Sequence, residues 1–130
     1  MEEQKILQLA RLVGQFGGFG GMVTVDRVDI LPGSVGLFSG GQTEKCLRRD
    51  ILGHGLYRIT CPVTLRYRAV AGENAADTLE QFARWLQNRT CPAFGADSRL
   101  AAGKCHMAQA CTDGCSLYEL ALTVEATVAR

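Results

Sequence analysis

The chain has no apolar run approaching the roughly 20 residues that a membrane-spanning helix requires, so it is not expected to cross a bilayer by a helix. It has only two histidines, His54 and His106, which leaves few candidates for a general base or an imidazole ligand. It lacks a strand-borne G-x-x-x-x-G-K-[ST] loop and a full G-x-G-x-x-G, so no phosphate cradle is expected. Charge of one sign is missing too. A formal net charge of +1 provides no general field for steering toward nucleic acid or an anionic surface. The three lysines stand against eleven arginines, a bias toward the planar guanidinium that suits interfaces.

At 130 residues the sequence is expected to form a single domain over 1–130. Its first residues, Met1-Glu2-Glu3-Gln4-Lys5, begin acidic and run into an amphipathic pattern, unlike a secretory signal. A cytoplasmic setting is therefore expected, where the six cysteines are reduced thiols acting as small buried apolar groups.

What is present is a long period-two alternation. Tyr57, Ile59, Cys61, Val63, Leu65 and Tyr67 alternate with Arg58, Thr60, Pro62, Thr64, Arg66 and Arg68. Tyr118, Leu120, Leu122, Val124, Ala126 and Val128 do the same with Glu119, Ala121, Thr123, Glu125 and Thr127. Each predicts a strand with one buried face. Should the two be neighbours, Arg58, Arg66 and Arg68 would share a face with Glu119 and Glu125. Pro62 has no N–H to give a ladder, so the strand is expected to lie at an edge or to bulge there.

The remaining organisation follows from local signals. Ile6, Leu9, Ala10, Val13 and Phe16 recur at helical spacing and predict an N-terminal helix over 1–16. Four glycines in residues 17–21 predict a flexible hinge. Strands and a hairpin are expected over 22–70: a strand over 22–30 that slips phase at Arg27-Val28, a turn at Pro32-Gly33, and a hairpin turn at Gly40-Gly41 joining strands 34–38 and 43–49. Gly53-His54-Gly55 turns the chain into the long strand. A helix is expected over 73–90, with Asn74 or Gly72 as its cap and Leu79, Phe82, Ala83 and Leu86 on its buried stripe. Trp85 falls at the margin of that stripe. Residues 92–114 read as an irregular loop in which 98–110 could carry a short helix, and 115–130 as the closing strand. The fold class is α+β: a mostly antiparallel, mixed and twisted sheet with two main helices packed on it.

Cys105, His106, Cys111 and Cys115 are the one cluster of metal-ligand types. Zinc would accept them, but the gaps lack the paired two-to-four-residue spacing of structural sites. Incidental thiols are the favoured reading, with a Cys111–Cys115 disulfide the lesser alternative. Cys105 and His106 are adjacent, and neighbours in a strand point to opposite faces, which argues against a nucleophile and its base. His54, between glycines, reads as a turn residue. Asp26, Asp29, Asp50 and Glu44 show no calcium-loop spacing and read as solvated loop and edge groups. Arg66-Tyr67-Arg68 is too short for the basic, aromatic-interleaved stripe of a nucleic-acid binder. No catalytic, cofactor or metal residue is assigned, and no cofactor is expected.

Several fragments in order resemble one family. They are Leu31-Pro32-Gly33-Ser34-Val35-Gly36-Leu37-Phe38, Arg48-Arg49-Asp50-Ile51-Leu52-Gly53, the Arg-rich strand through Arg68, Phe82-Ala83-Arg84-Trp85-Leu86-Gln87, Pro92-Ala93-Phe94-Gly95-Ala96-Asp97 and the closing strand. Together they resemble the tail terminator, or minor capsid (head–tail joining), proteins of long-tailed bacteriophages and prophages. The cysteine-bearing segment 105–115 is no part of that pattern. The resemblance implies a non-enzymatic subunit that forms a ring, usually a hexamer, on the tail tube. It also implies partners in the tube and head-completion proteins, phage DNA passing through the lumen past arginines, and a place first in the bacterial host cytoplasm and then in the virion. The alternatives are another head–tail connector or tail-tube morphogenesis protein, or a small zinc-binding regulatory module.

Overall fold

The long alternating strand organises the molecule. The computed structural model describes residues 3–70, 72–87, 89–95 and 97–129; Met1, Glu2, Ala71, Asn88, Ala96 and Arg130, to which several expected elements and motifs extended, lie outside them. In chain order the elements are α1 (Glu3–Gly14), β1 (Val23–Val25), β2 (Val35–Ser39), β3 (Thr43–Arg49), β4 (Gly55–Val70), α2 (Ala75–Leu86), a 3-10 turn (Pro92–Phe94), β5 (Arg99–Ala110) and β6 (Cys115–Ala129). The strands form one six-stranded sheet in the order β1-β2-β4-β6-β5, with β3 also pairing with β4. Only β1 and β2 run parallel, so the sheet is mixed, and the fold is α+β as expected.

The period of two sorts the two faces. Ile59, Cys61, Val63, Leu65, Tyr67 and Ala69 of β4 are buried beside Leu120, Leu122, Val124 and Ala126 of β6. Ile6, Leu9 and Val13 of α1 and Leu79, Phe82 and Leu86 of α2 close the same core, so both helices lie on one face. α1 packs on β1 and β2, and α2 on β5 and β6. Asn74 caps α2 as expected, its side chain accepting from Asp77 N at 3.2 Å.

Four local expectations are corrected. The strand expected over 22–30 is only Val23–Val25, because Asp26 takes a positive φ of 64° and turns the chain out of the sheet. Gly40-Gly41 is no hairpin turn. Ser39 pairs with Val63 and Thr43 with Thr60, so Gly40, Gly41 and Gln42 lie opposite Cys61 and Pro62: β2 and β3 are one broken strand along β4 with one extra residue at the break. Pro62 sits at that break, which is why it is tolerated; its carbonyl still accepts from Gly40 N at 2.8 Å.

Residues 99–110 are strand β5, not a loop or a helix. Bulges between Ala102 and Cys105 and between Met107 and Gln109 interrupt its alternation and hid it. The glycine tract 17–21, expected to flex, is pinned. The Phe19 ring lies edge-on at 5.1 Å from Phe16 and tilted at 5.1 Å from Phe82 and 5.3 Å from Tyr67, and Gly21 N donates to Gly33 O at 3.0 Å. Phe16 itself lies past the end of α1, where it meets Phe82 and Trp85 at 5.3 and 5.5 Å.

Tyr67, near the C-terminal end of β4, donates its hydroxyl to Glu73 Oε1 at 2.9 Å. Burial first, and the Glu73 bond second, push its phenol above the ordinary value. The unfolded phenol therefore ionises first. The contribution of Tyr67 is fully present below about pH 10 and is lost as pH rises toward the folded value. Urea unfolding across alkaline pH is expected to show this fall in the wild type and a flatter profile in Tyr67→Phe. Equal slopes would exclude the contribution.

Candidate functional site

The other face of the sheet carries no helix among the described residues. It presents Arg58, Thr60, Pro62, Thr64, Arg66 and Arg68 from β4, set against Thr127, Glu125, Thr123, Ala121, Glu119 and Leu117 from β6. The neighbouring of the two long strands brings the expected charges together, though selectively. Arg66 Nε lies 2.9 Å from Glu119 Oε1, and its guanidinium 4.7 Å from the centre of the Phe38 ring. Glu119 Oε2 also stands 3.4 Å from His106 Nε2. A half-exposed pair of this kind contributes of order 0.2–1 kcal/mol and orders the face more than it stabilises the fold.

Arg68 is engaged elsewhere. Its Nε donates to Asp29 O at 2.9 Å, and Nη1 reaches Asp113 Oδ2 at 3.2 Å and Cys111 Sγ at 3.6 Å. It therefore ties the 26–34 loop to the β5–β6 turn. Arg58 and Arg99 share a surface depression with Asp97 and Glu125. Acids and bases alternate over this face, so it forms no basic stripe of the kind that tracks a phosphate backbone.

The cysteine–histidine cluster is dispersed by strand geometry. Cys105 pairs in register with Leu120 and faces the helices, whereas His106 pairs with Glu119 on the open face. Cys111 and Cys115 stand across the β5–β6 turn, Cys111 N donating to Cys115 O at 2.9 Å. Among the described residues no three His, Cys, Asp or Glu side chains converge as a metal site. All six thiols are free. Burial pushes the Cys61 and Cys91 thiols up. Cys46, on exposed β3, is expected to alkylate first under native conditions, and Cys61 and Cys91 only on unfolding. Peptide mass spectrometry after timed iodoacetamide treatment reads the order; prompt labelling of Cys61 would contradict it.

The surface that stands out is the β3–β4 arm. Every residue of β3 is exposed, and so is the whole connection 50–54. At its tip Ile51 is fully exposed and Leu52 77% exposed. The tip is nonetheless ordered. Asp50 Oδ1 accepts from Leu52 N and His54 N at 2.9 Å each, and Asp50 N donates to His54 O at 2.8 Å. Gly53 supplies the left-handed φ of 87° that the turn requires. Arg49 Nη2 donates to Tyr57 Oη at 2.7 Å and braces the base of the tip.

His54 is thus a turn residue, as its glycine neighbours implied, with Nδ1 3.5 Å from Asp50 Oδ2. The apolar tip itself was missed. Its signal was the pair Ile51-Leu52 lodged between two turn formers, Asp50 and Gly53, where a solvated loop would carry polar residues. No helix among the described residues is long and apolar enough to cross a membrane. No protein-family model and no curated protein sequence matches the chain.

Proposed function

We propose that the protein is a non-enzymatic assembly subunit, the tail terminator of a long-tailed bacteriophage or prophage, acting as a ring that caps the tail tube and meets the head-completion proteins. The observation that carries the reading is the exposed strand β3 and its ordered turn, with Ile51 and Leu52 at the tip. An apolar pair held out on a braced hairpin has no role in its own core and suits contact with another protein. The open face, lined by alternating Arg, Thr and Glu, supplies a second surface for a neighbour, as a ring subunit requires. The order and spacing of the fragments from Leu31 to the closing strand support the same family.

Sequencing the DNA on either side of the gene tests the reading directly. Portal, capsid and connector genes upstream with tube and tape-measure genes downstream are the expected result. A metabolic or regulatory neighbourhood would overturn it. Given that neighbourhood, adding the purified chain to the polymerising tube protein of the same genome is expected to stop tube growth.

A further inference from the structure

Two unlike surfaces lie at opposite edges of the sheet. At one edge β3 and the first half of β4 form the arm that ends in Ile51 and Leu52. At the other, α2 and β5 border a groove of about 390 Å³, lined by Leu79, Glu80 and Ala83 from α2, Lys104 and Cys105 from β5, and Leu120 from β6. The bulge between Ala102 and Cys105 falls at this groove.

We infer that the arm tip of one copy seats in the α2–β5 groove of the next copy, with Ile51 and Leu52 as its apolar anchors. The inference deepens the ring-subunit reading and rests on it for closure of the contact into a ring. Size and polarity agree first: the groove is mostly apolar with a charge on each wall, and the tip is two apolar side chains with charges at its base. Charge order agrees next. Asp50, beside the anchors, answers Lys104, while Arg48 and Arg49 share the Glu80 carboxylate that Arg84 already pairs with at 2.7 Å in its own helix.

Order of the tip agrees as well. Because Asp50 and Gly53 already hold the turn, docking spends little conformational entropy. The strand order then sets the symmetry. Arm and groove lie at opposite edges, so a chain does not fill its own groove, and the contact between copies is head to tail. Repetition of such a contact gives a ring where the rotation closes.

The groove thiol makes the contact testable in the full chain. With Cys46→Ser removing the exposed arm thiol, Leu52→Cys under copper–phenanthroline oxidation is expected to give disulfide-linked dimers and higher species on non-reducing gels. Adding Cys105→Ser is expected to abolish them. Separately, the exposed pair changed as Ile51→Ser with Leu52→Ser should leave the circular dichroism spectrum unchanged and weaken self-association by about tenfold or more in light scattering.

A linkage that persists without Cys105, or a double variant that associates as strongly as wild type, overturns the inference. A wild-type chain that stays monomeric, together with a Leu52→Cys chain that gives no linkage, overturns it too. The role and the contact fail separately: a Cys105-dependent linkage in a chain from a metabolic gene neighbourhood keeps the contact and loses the tail terminator.

Discussion

Phe82→Ala is expected to destabilise the chain by about 3–5 kcal/mol, the cost of removing a large aromatic side chain from a packed core. Phe82 is fully buried and is the hub of the aromatic cluster, meeting Phe16, Phe19 and Trp85 at 5.3, 5.1 and 5.9 Å. Three separate pieces of chain converge on it: the end of α1, the glycine tract and α2. Their rings cannot collapse into the gap together, because Phe19 is also held against Tyr67 and Gly21 is bonded to Gly33. Against a typical total of about 5–15 kcal/mol, the loss is a large fraction of the stability and would bring a chain at the low end of that range near unfolding at ambient temperature. Urea titration followed by tryptophan fluorescence measures it, since Trp85 lies in the cluster. A midpoint within experimental error of wild type would mean that the cluster does not bind these segments together.

Gly36→Val is expected to cost about 1–3 kcal/mol through overpacking, and to release the 26–31 segment from the sheet. Gly36 is buried in β2, and a Cβ there would press on the Arg27 carbonyl and come 2.6 Å from Val28 Cγ2. The obstacle is largely backbone, so no rotamer relieves it. The segment must lift, straining the bonds that seat it: Asp26 N to Leu37 O at 2.9 Å, Thr24 Oγ1 to Arg27 O at 2.6 Å, and Arg68 Nε to Asp29 O at 2.9 Å. Hydrogen exchange is expected to accelerate over 26–31 while β4 and β6 stay protected. Gly41→Ala is the control, because nothing lies within 4 Å of its Cβ; it should shift stability by less than about 0.5 kcal/mol. Equal effects from the two substitutions would refute the steric account.

The elements legible in the sequence were those whose pattern is repeated and local. The alternations of β4 and β6 and the helical stripes of α1 and α2 each rest on side chains a fixed number of residues apart. The Asn74 cap needs only its own helix. β5 was hidden because two bulges and the small residues Ala101, Ala102 and Gly103 erase its period. The glycine tract misled for a related reason. Glycine permits flexibility, but Phe19 in its midst supplies an anchor that acts only once Tyr67 and Phe82 are brought to it. The cysteine–histidine cluster has metal-ligand types without their spacing, and strand geometry sends the adjacent Cys105 and His106 to opposite faces, as adjacency in a strand implies.

The α+β class, the buried face of each long strand and a cap for α2 at Asn74 or Gly72 were legible from residues alone, because these depend on periodicity and caps that act within one segment. That β2 and β3 run end to end along β4, with Pro62 at their break, emerges only when the strands pair. The same holds for the arm and the α2–β5 groove occupying opposite edges of one sheet. Those outcomes depend on which strand edges find one another, and backbone hydrogen bonds between strands leave no periodic mark in the residues that make them.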